Sequence, residues 1–190
     1  DISFAPKAVL LGEDFTFNDG NYINIGKGLS VEADVTMNDR HGSGMRFYTI
    51  PGTEYTHNAN LELFNINLEK LTGVIPYAPD LAGMLNLDLN IKNGEQGFML
   101  GADAFAEALA YEGVPIGNEI IEAVYFPKDN DTHYIDLRLL HEEEETVHLS
   151  ANYETGGLDG KLTLTRFPLA MSRACLQDAG VNLDGYINAN

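Results

Sequence analysis

The sequence contains no tryptophan, one cysteine and few basic residues. Cys175 has no partner for an internal disulfide, and its apolar neighbours Leu169, Met171 and Leu176 predict a buried thiol. Eleven Lys and Arg stand against 29 Asp and Glu, so the formal net charge is -18. This charge repels phosphate backbones, which argues against nucleic acid as a partner, and we expect it to lie on a solvated outer face.

Long apolar runs are also missing from the chain. No stretch approaches the ~18 apolar residues of a membrane-spanning helix. The first residues, DISFAPKAVLL, lack the basic start and long apolar core of a signal peptide. Because 44% of the 190 residues are hydrophobic, we nevertheless expect a folded protein. We therefore interpret the chain as a piece of a longer protein, with any membrane anchor outside it.

The dominant pattern is an alternation of apolar and polar residues, which is typical of half-buried strands. MLNLDLNI places four aliphatic side chains on one face and Asn86, Asp88 and Asn90 on the other. The same alternation recurs in LSVEADVTM, HYIDLRLL, TVHLSANY and LDGKLTLT. Turn signals rich in Gly, Asn and Asp separate these segments, including Lys92–Gly94, and the run His141–Glu145 is predicted to form a hairpin tip. Short connections predict an all-β fold of antiparallel neighbours.

Two short stretches have apolar residues at helical spacing, INLEKLTGVIPYA and PLAMSRACLQDAG. Each is followed by a similar phrase, around Gly83 after the first and around Gly185 after the second. This predicts a repeating unit of a short helix, a glycine and a run of strands, with a second copy that begins near the C-terminus. The boundaries that follow are 1–65, a strand segment of a preceding repeat; 66–82, a short helix and connection; 83–167, the main β-sheet repeat; and 168–190, a short helix and the start of the next repeat.

No motif in the sequence predicts catalysis, a metal site or a cofactor. His133, His141 and His148 lack the close spacing of zinc ligands. Gly42-Ser43-Gly44 lacks the G-x-S-x-G spacing of a nucleophile turn, and Gly26-Lys27-Gly28 is too short for a phosphate loop. We therefore expect a protein that is not an enzyme.

The strongest feature is the set of aliphatic residues that share one face of the alternating strands. A sandwich, a barrel or a sheet curled on itself could cover this face as an ordinary core, and an accessible groove that binds an apolar ligand or partner is the alternative. The predicted lining residues are Leu85, Leu87, Leu89, Ile91, Ile135, Leu137, Leu139, Val147, Leu149, Leu162 and Leu164.

Several phrases in the last two-thirds of the chain form a recognisable order. They are Asp80-Leu81-Ala82-Gly83, Gly101, LAYEGVPIGN from Leu109, the alternation through Tyr153, Leu158-Asp159-Gly160, Phe167-Pro168-Leu169 and Leu183-Asp184-Gly185. In their order and spacing these phrases resemble the C-terminal region of TamB-like proteins, the AsmA-related inner-membrane component of the translocation and assembly module.

The resemblance implies an elongated, curled antiparallel sheet that forms a taco-like groove with an apolar interior and one or two short helices. It implies the periplasmic portion of a protein anchored in the inner membrane, which works with an outer-membrane barrel assembly protein. The implied roles are outer-membrane protein secretion and assembly, and phospholipid transport between the two membranes. The ligands would be phospholipid acyl chains or outer-membrane protein clients. The alternatives are a scaffold that pairs with clients through its edge strands, and a surface binding module.

Overall fold

The structure is a computed structural model that describes residues 1–10, 12–27, 30–52, 55–95, 97–129, 131–154, 156–169 and 185–190. Cys175 and most of the predicted second helix, from residue 170 onwards, lie outside the described residues. In the described part, thirteen strands and one short helix form the fold. Their bounds are β1 Lys7–Leu10, β2 Glu13–Phe17, β3 Tyr22–Ile25, β4 Val31–Asp39, β5 Gly44–Thr49, β6 His57–Asn67, α1 Leu68–Thr72, β7 Leu81–Gly94, β8 Gly97–Tyr111, β9 Val114–Asp129, β10 Thr132–His141, β11 Glu144–Glu154, β12 Gly157–Pro168 and β13 Tyr186–Ala189.

All thirteen strands belong to one antiparallel sheet, and from β4 onwards each strand pairs with the next one along the chain. At the N-terminal end, β4 presents one edge to both β2 and β3, with β2 beside its second half and β3 beside its first. Among the described residues no pairing joins β1 to β13, so the sheet is open. The expected all-β fold, a single curled antiparallel sheet, is confirmed.

The helix α1 is shorter than the stretch 66–78 that predicts it. Asn67 caps its start, because its side-chain oxygen accepts a hydrogen bond from the backbone N–H of Lys70 at 2.9 Å. Leu68 is buried, and the helix ends before Gly73. Lys70 Nζ lies 2.6 Å from Oε1 of Glu13, which ties α1 to β2 across the intervening strands β4 and β5.

Two predicted turns differ in outcome. Glu142 and Glu143 form the tip between β10 and β11 with φ values of 49° and 68°, so the predicted hairpin is confirmed. The predicted turn at Lys92–Gly94 is wrong, because these residues are the last of β7 and Gly94 pairs with Gly97 of β8. Cross-strand pairing therefore overrides the local turn signal there.

The sheet has little closed core. The total accessible surface is 12090 Å², about a third more than the ~9,000 Å² expected of a compact protein of this mass. Within the described ranges, the buried apolar residues are Phe15, Ala33, Val35, Leu68 and Ala151. Most aliphatic side chains of the long strands are only half-buried.

Candidate functional site

The register places all eleven predicted lining residues on one face of the sheet, which we call the apolar face. Leu87 of β7 lies in register, through Ala104 of β8 and Ile121 of β9, with Leu139 of β10. Residues directly opposite each other in neighbouring strands point to the same side of a sheet. Three further cross-strand pairs lie on the same face: Leu137–Leu149, Leu149–Leu162 and Val147–Leu164. The other predicted lining residues lie on this face because they alternate with polar residues along β7 and β10.

The list of predicted lining residues contains none from the two central strands of this face, β8 and β9. β8 contributes Ala102, Ala104 and Ala106, and β9 contributes Ile121 and Ala123. Their alternation is present in the sequence, but alanine marks it less clearly than leucine. Because alanine side chains are short, the face is lower along β8 than along β7, which carries leucine at the paired positions.

The apolar face continues into the N-terminal half of the sheet. Leu61 and Leu63 of β6 pair with Leu89 and Leu87 of β7, and on their other side with residues of β5. The sequence predicted strands in this half but assigned no lining residue to it. The further members of the face are Phe47, Met45, Val35 and Met37.

At one end of the long strands, four ring-bearing residues cross the apolar face side by side. We call Phe98, Tyr125, His133 and Tyr153, from β8, β9, β10 and β11, the aromatic row. Successive ring centroids lie 5.9, 5.5 and 6.3 Å apart, and the hydroxyl of Tyr125 lies 2.8 Å from Nδ1 of His133. Phe98 and Tyr153 are 45% and 49% exposed. The sequence alone did not group these residues, whereas the register brings them together.

At the opposite end of the same strands, the apolar face stops at an acid and a histidine. Glu119 of β9 is only 3% exposed, and its Oε1 lies 2.6 Å from Nδ1 of His141 on β10. Its second oxygen, Oε2, is buried and has no hydrogen-bond partner among the described residues. Burial raises the pKa of Glu119, and the carboxylate of Glu142 adds to this, while His141 opposes it.

Further carboxylates surround this end, which we call the acidic end. Glu142 accepts hydrogen bonds from the backbone and side-chain nitrogens of Asn118 at 2.9 and 3.0 Å, and these bonds lower the pKa of Glu142. The turns and strand ends that converge here also carry Asp80, Glu107, Glu112, Glu143, Glu144 and Glu145.

The other face of the sheet, the polar face, carries charged residues in register. A row of carboxylates crosses β6 to β9 and continues to a cation on β10, in the order Glu62, Asp88, Asp103, Glu122 and Arg138. A hollow of ≈ 230 Å³ lies over Gly101, where Asn60 and Asn90 meet this row. The polar face therefore carries a row of negative charges, as the alternation predicted, together with the exposed apolar residues Phe105, Val124 and Phe126.

A hydrogen-bonded cluster extends the polar face onto β10 and β11. His148 Nε2 lies 3.0 Å from Oδ2 of Asp136, and the hydroxyl of Tyr134 donates to the same oxygen at 2.8 Å. Burial acts to raise the pKa of Asp136, but the hydrogen bonds from His148 and Tyr134 outweigh it and lower the pKa. The hydroxyl of Ser150 lies 3.0 Å from that of Tyr134. Because His148 and Ser150 each bond elsewhere, the cluster does not form a serine–histidine pair.

Two further features are absent from the described part of the chain. Within these ranges, no group of three or more His, Cys, Asp or Glu side chains is arranged to hold a metal ion. Among the same residues, no helix has the length and apolar character needed to cross a membrane. Comparison of the whole chain with protein-family models, curated proteins and solved structures finds no match.

Proposed function

We propose that this chain is a periplasmic segment of an envelope-spanning, TamB-like protein, and that its apolar face holds phospholipid acyl chains as they pass between the inner and outer membranes. The same surface would shelter apolar strands of outer-membrane proteins during their secretion and assembly. In this proposal the segment is not an enzyme, and its partner is an outer-membrane barrel assembly protein.

The observation that carries the proposal is the continuous apolar face on an open sheet. This face runs in register from β4 to β12, and although Val35 and Ala151 are buried, most of its side chains from β7 to β12 are only half-buried. Exposed side chains on it include Ile121 at 42% and Leu162 at 50%. Soluble proteins rarely expose contiguous apolar patches of this extent unless a ligand or partner covers them.

Elementary energetics favour acyl chains as the ligand. A tail of about 15 methylenes loses on the order of 12 kcal/mol when it leaves water for an apolar surface, at ~0.8 kcal/mol per methylene. A lipid monomer therefore does not cross an aqueous space unaided. Transfer from a bilayer to an apolar protein surface exchanges one apolar medium for another, so such a surface could conduct lipid with little net change in free energy. The charged polar face would keep the segment in solution.

Native mass spectrometry of the gently purified chain, with lipid extraction from the same sample, tests the proposal. We expect phospholipid to co-purify with the wild type and to be lost from the double variant Leu87→Asp, Leu137→Asp, which places two charges on the apolar face. The matched control is Met99→Asp, Val124→Asp, which makes the same change on the polar face of β8 and β9. The control should retain its lipid.

Circular dichroism must show that both double variants fold. The proposal fails if the wild-type chain carries no lipid and also excludes added phospholipid. It also fails if the two folded double variants lose lipid equally, because the apolar face would then have no special part in binding.

A second function, a scaffold that pairs with β-rich clients, is favoured by the edge of β12. β13 pairs with β12 only between Leu164 and Pro168, so in the described part of the chain no strand covers the outer edge of residues 157–163. An uncovered strand edge offers backbone donors and acceptors to another strand. A photo-crosslinker at Lys161 on this edge should then capture an extended peptide of alternating Val and Thr, and one at Glu122 on the central strand β9 should not. Equal capture at both positions would count against the scaffold.

A further inference from the structure

The two ends of the apolar face differ in chemistry, and this difference gives the face a direction. The aromatic row stands at one end, and Glu119, His141 and the carboxylates of the acidic end stand at the other. Between the two ends the side chains are aliphatic, such as Ile135, Leu137 and Leu139 on β10.

The aromatic row suits the boundary between apolar tails and polar headgroups. Tyrosine and histidine have an apolar ring and a polar tip, and such side chains concentrate where apolar surface meets water. Lys92 and Lys128 lie at the same end of the strands but on the polar face, where Lys92 pairs with Met99 and Lys128 Nζ lies over the ring of Tyr134.

The acidic end suits a headgroup phosphate poorly. Its carboxylates repel an anion at close range, and Glu119 is itself buried with one oxygen unpaired among the described residues. Burial raises the pKa of Glu119, and the negative charge of Glu142 adds to this. Two described arginines pair with carboxylates of this end, Arg166 at 3.7 Å from Glu144 and Arg138 at 3.9 Å from Glu145, so the carboxylates outnumber them.

The length of the aliphatic zone matches one layer of lipid tails. From Ile135 to Leu139 the strand covers about 14 Å at ~3.4 Å per residue, and one leaflet of a ~30 Å hydrocarbon core is about 15 Å thick. The zone is therefore about as long as the hydrocarbon layer of one leaflet is thick.

We propose that a bound phospholipid lies along the strands with its phosphate-bearing headgroup at the aromatic row and its acyl chains pointing towards the acidic end. This inference rests on the proposed function, since it assigns an orientation to the lipid of that same face.

The absence of tryptophan allows a direct test by fluorescence. Tyr125→Trp places a reporter in the aromatic row, and Ile121→Trp places one on the same strand and face, four residues nearer the acidic end. Each variant is titrated with phosphatidylethanolamine that carries a nitroxide on the headgroup, or bromine at the end of the acyl chain. We expect headgroup nitroxide to quench the reporter at 125 about twofold more than that at 121, and chain-end bromine to do the reverse, because most of a leaflet separates the two labels.

The possible outcomes distinguish a wrong orientation of the lipid from a failure to bind lipid at all. Strong quenching in the opposite order, or equal quenching at both positions by both labels, overturns the orientation and leaves lipid binding intact. No quenching by either label overturns both. Phe98→Trp, at an exposed position of the aromatic row, is the second reporter if Tyr125→Trp fails to fold, and it should behave as the reporter at 125 does.

Discussion

The carboxyl group of Glu119 gives a pH dependence to a sheet whose other carboxylates mostly face water. In the folded state burial raises its pKa above that in the unfolded chain, so the folded state holds the proton more tightly. The stability that follows from this shift is fully present below the unfolded pKa, near 4.5, and is lost as the pH rises through the folded pKa.

Glu119→Gln should therefore stabilise the protein at pH 8 and change it little at pH 4. Glutamine is nearly isosteric and leaves no buried negative charge, so we expect the free energy of unfolding to rise by about 1 kcal/mol at pH 8. Urea unfolding followed by circular dichroism measures it. Glu122→Gln, on the same strand but on the polar face, is the control and should show no such pH dependence. If Glu119→Gln is less stable than the wild type at pH 8, the conclusion that burial raises the pKa of Glu119 is contradicted.

Gly83 occupies a backbone conformation that other residues rarely adopt. Its φ is 124°, and a Cβ atom there would lie 2.7 Å from the carbonyl oxygen of Glu107. Gly83→Ala should therefore lower the free energy of unfolding by about 1–3 kcal/mol, as thermal or urea unfolding can show. Gly101→Ala is the matched control, because no described atom lies within 4 Å of its added Cβ and its φ is not positive. Equal effects at the two glycines would refute this account.

At the scale of elements, the hairpin of β10 and β11 turns through two non-glycine residues with positive φ. Glu143, with φ 68°, carries the strain of a side chain in the left-handed region. Glu143→Gly should raise the free energy of unfolding by about 0.5–1 kcal/mol. Glu143→Gln removes the charge but keeps the Cβ atom, and it should stay close to the wild type in the same urea experiment. If Gln stabilises as much as Gly, charge repulsion rather than backbone strain limits this turn.

Alternation of large aliphatic residues predicted β7, β10, β11 and β12, because leucine every second residue leaves a strong signal. β8 is poorly marked because three of its residues on the apolar face are alanines. The turn at Lys92–Gly94 was mispredicted because pairing with β8 carries the strand past it. α1 was predicted too long, since apolar spacing does not show that the helix ends before Gly73.

The aromatic row could not be predicted from the sequence. Neighbouring members of the row are between 8 and 27 positions apart in the chain, and only the strand order and register place them in contact. The pair of Glu119 and His141 depends on the same register between β9 and β10. In contrast, alternation within each strand places its aliphatic residues on one face for a local reason, so the lining of each strand could be predicted, while the register joins the four strands into one surface.

At the scale of the whole molecule, the central claim is that the apolar face is open and is covered by lipid. Ile121 and Val124 lie on the same strand and are 42% and 43% exposed, but they point to opposite faces of the sheet. They form a matched pair of reporters, since strand position and exposure are nearly the same at both.

The most direct measurement is the rate at which a maleimide labels Ile121→Cys or Val124→Cys, each in a Cys175→Ser background, with and without phosphatidylethanolamine. The account predicts that both cysteines react at similar rates in delipidated protein, and that added phospholipid slows the reaction at 121 and not at 124. A cysteine at 121 that is unreactive without lipid, or that lipid fails to protect, would contradict the claim that this face is an open surface for acyl chains.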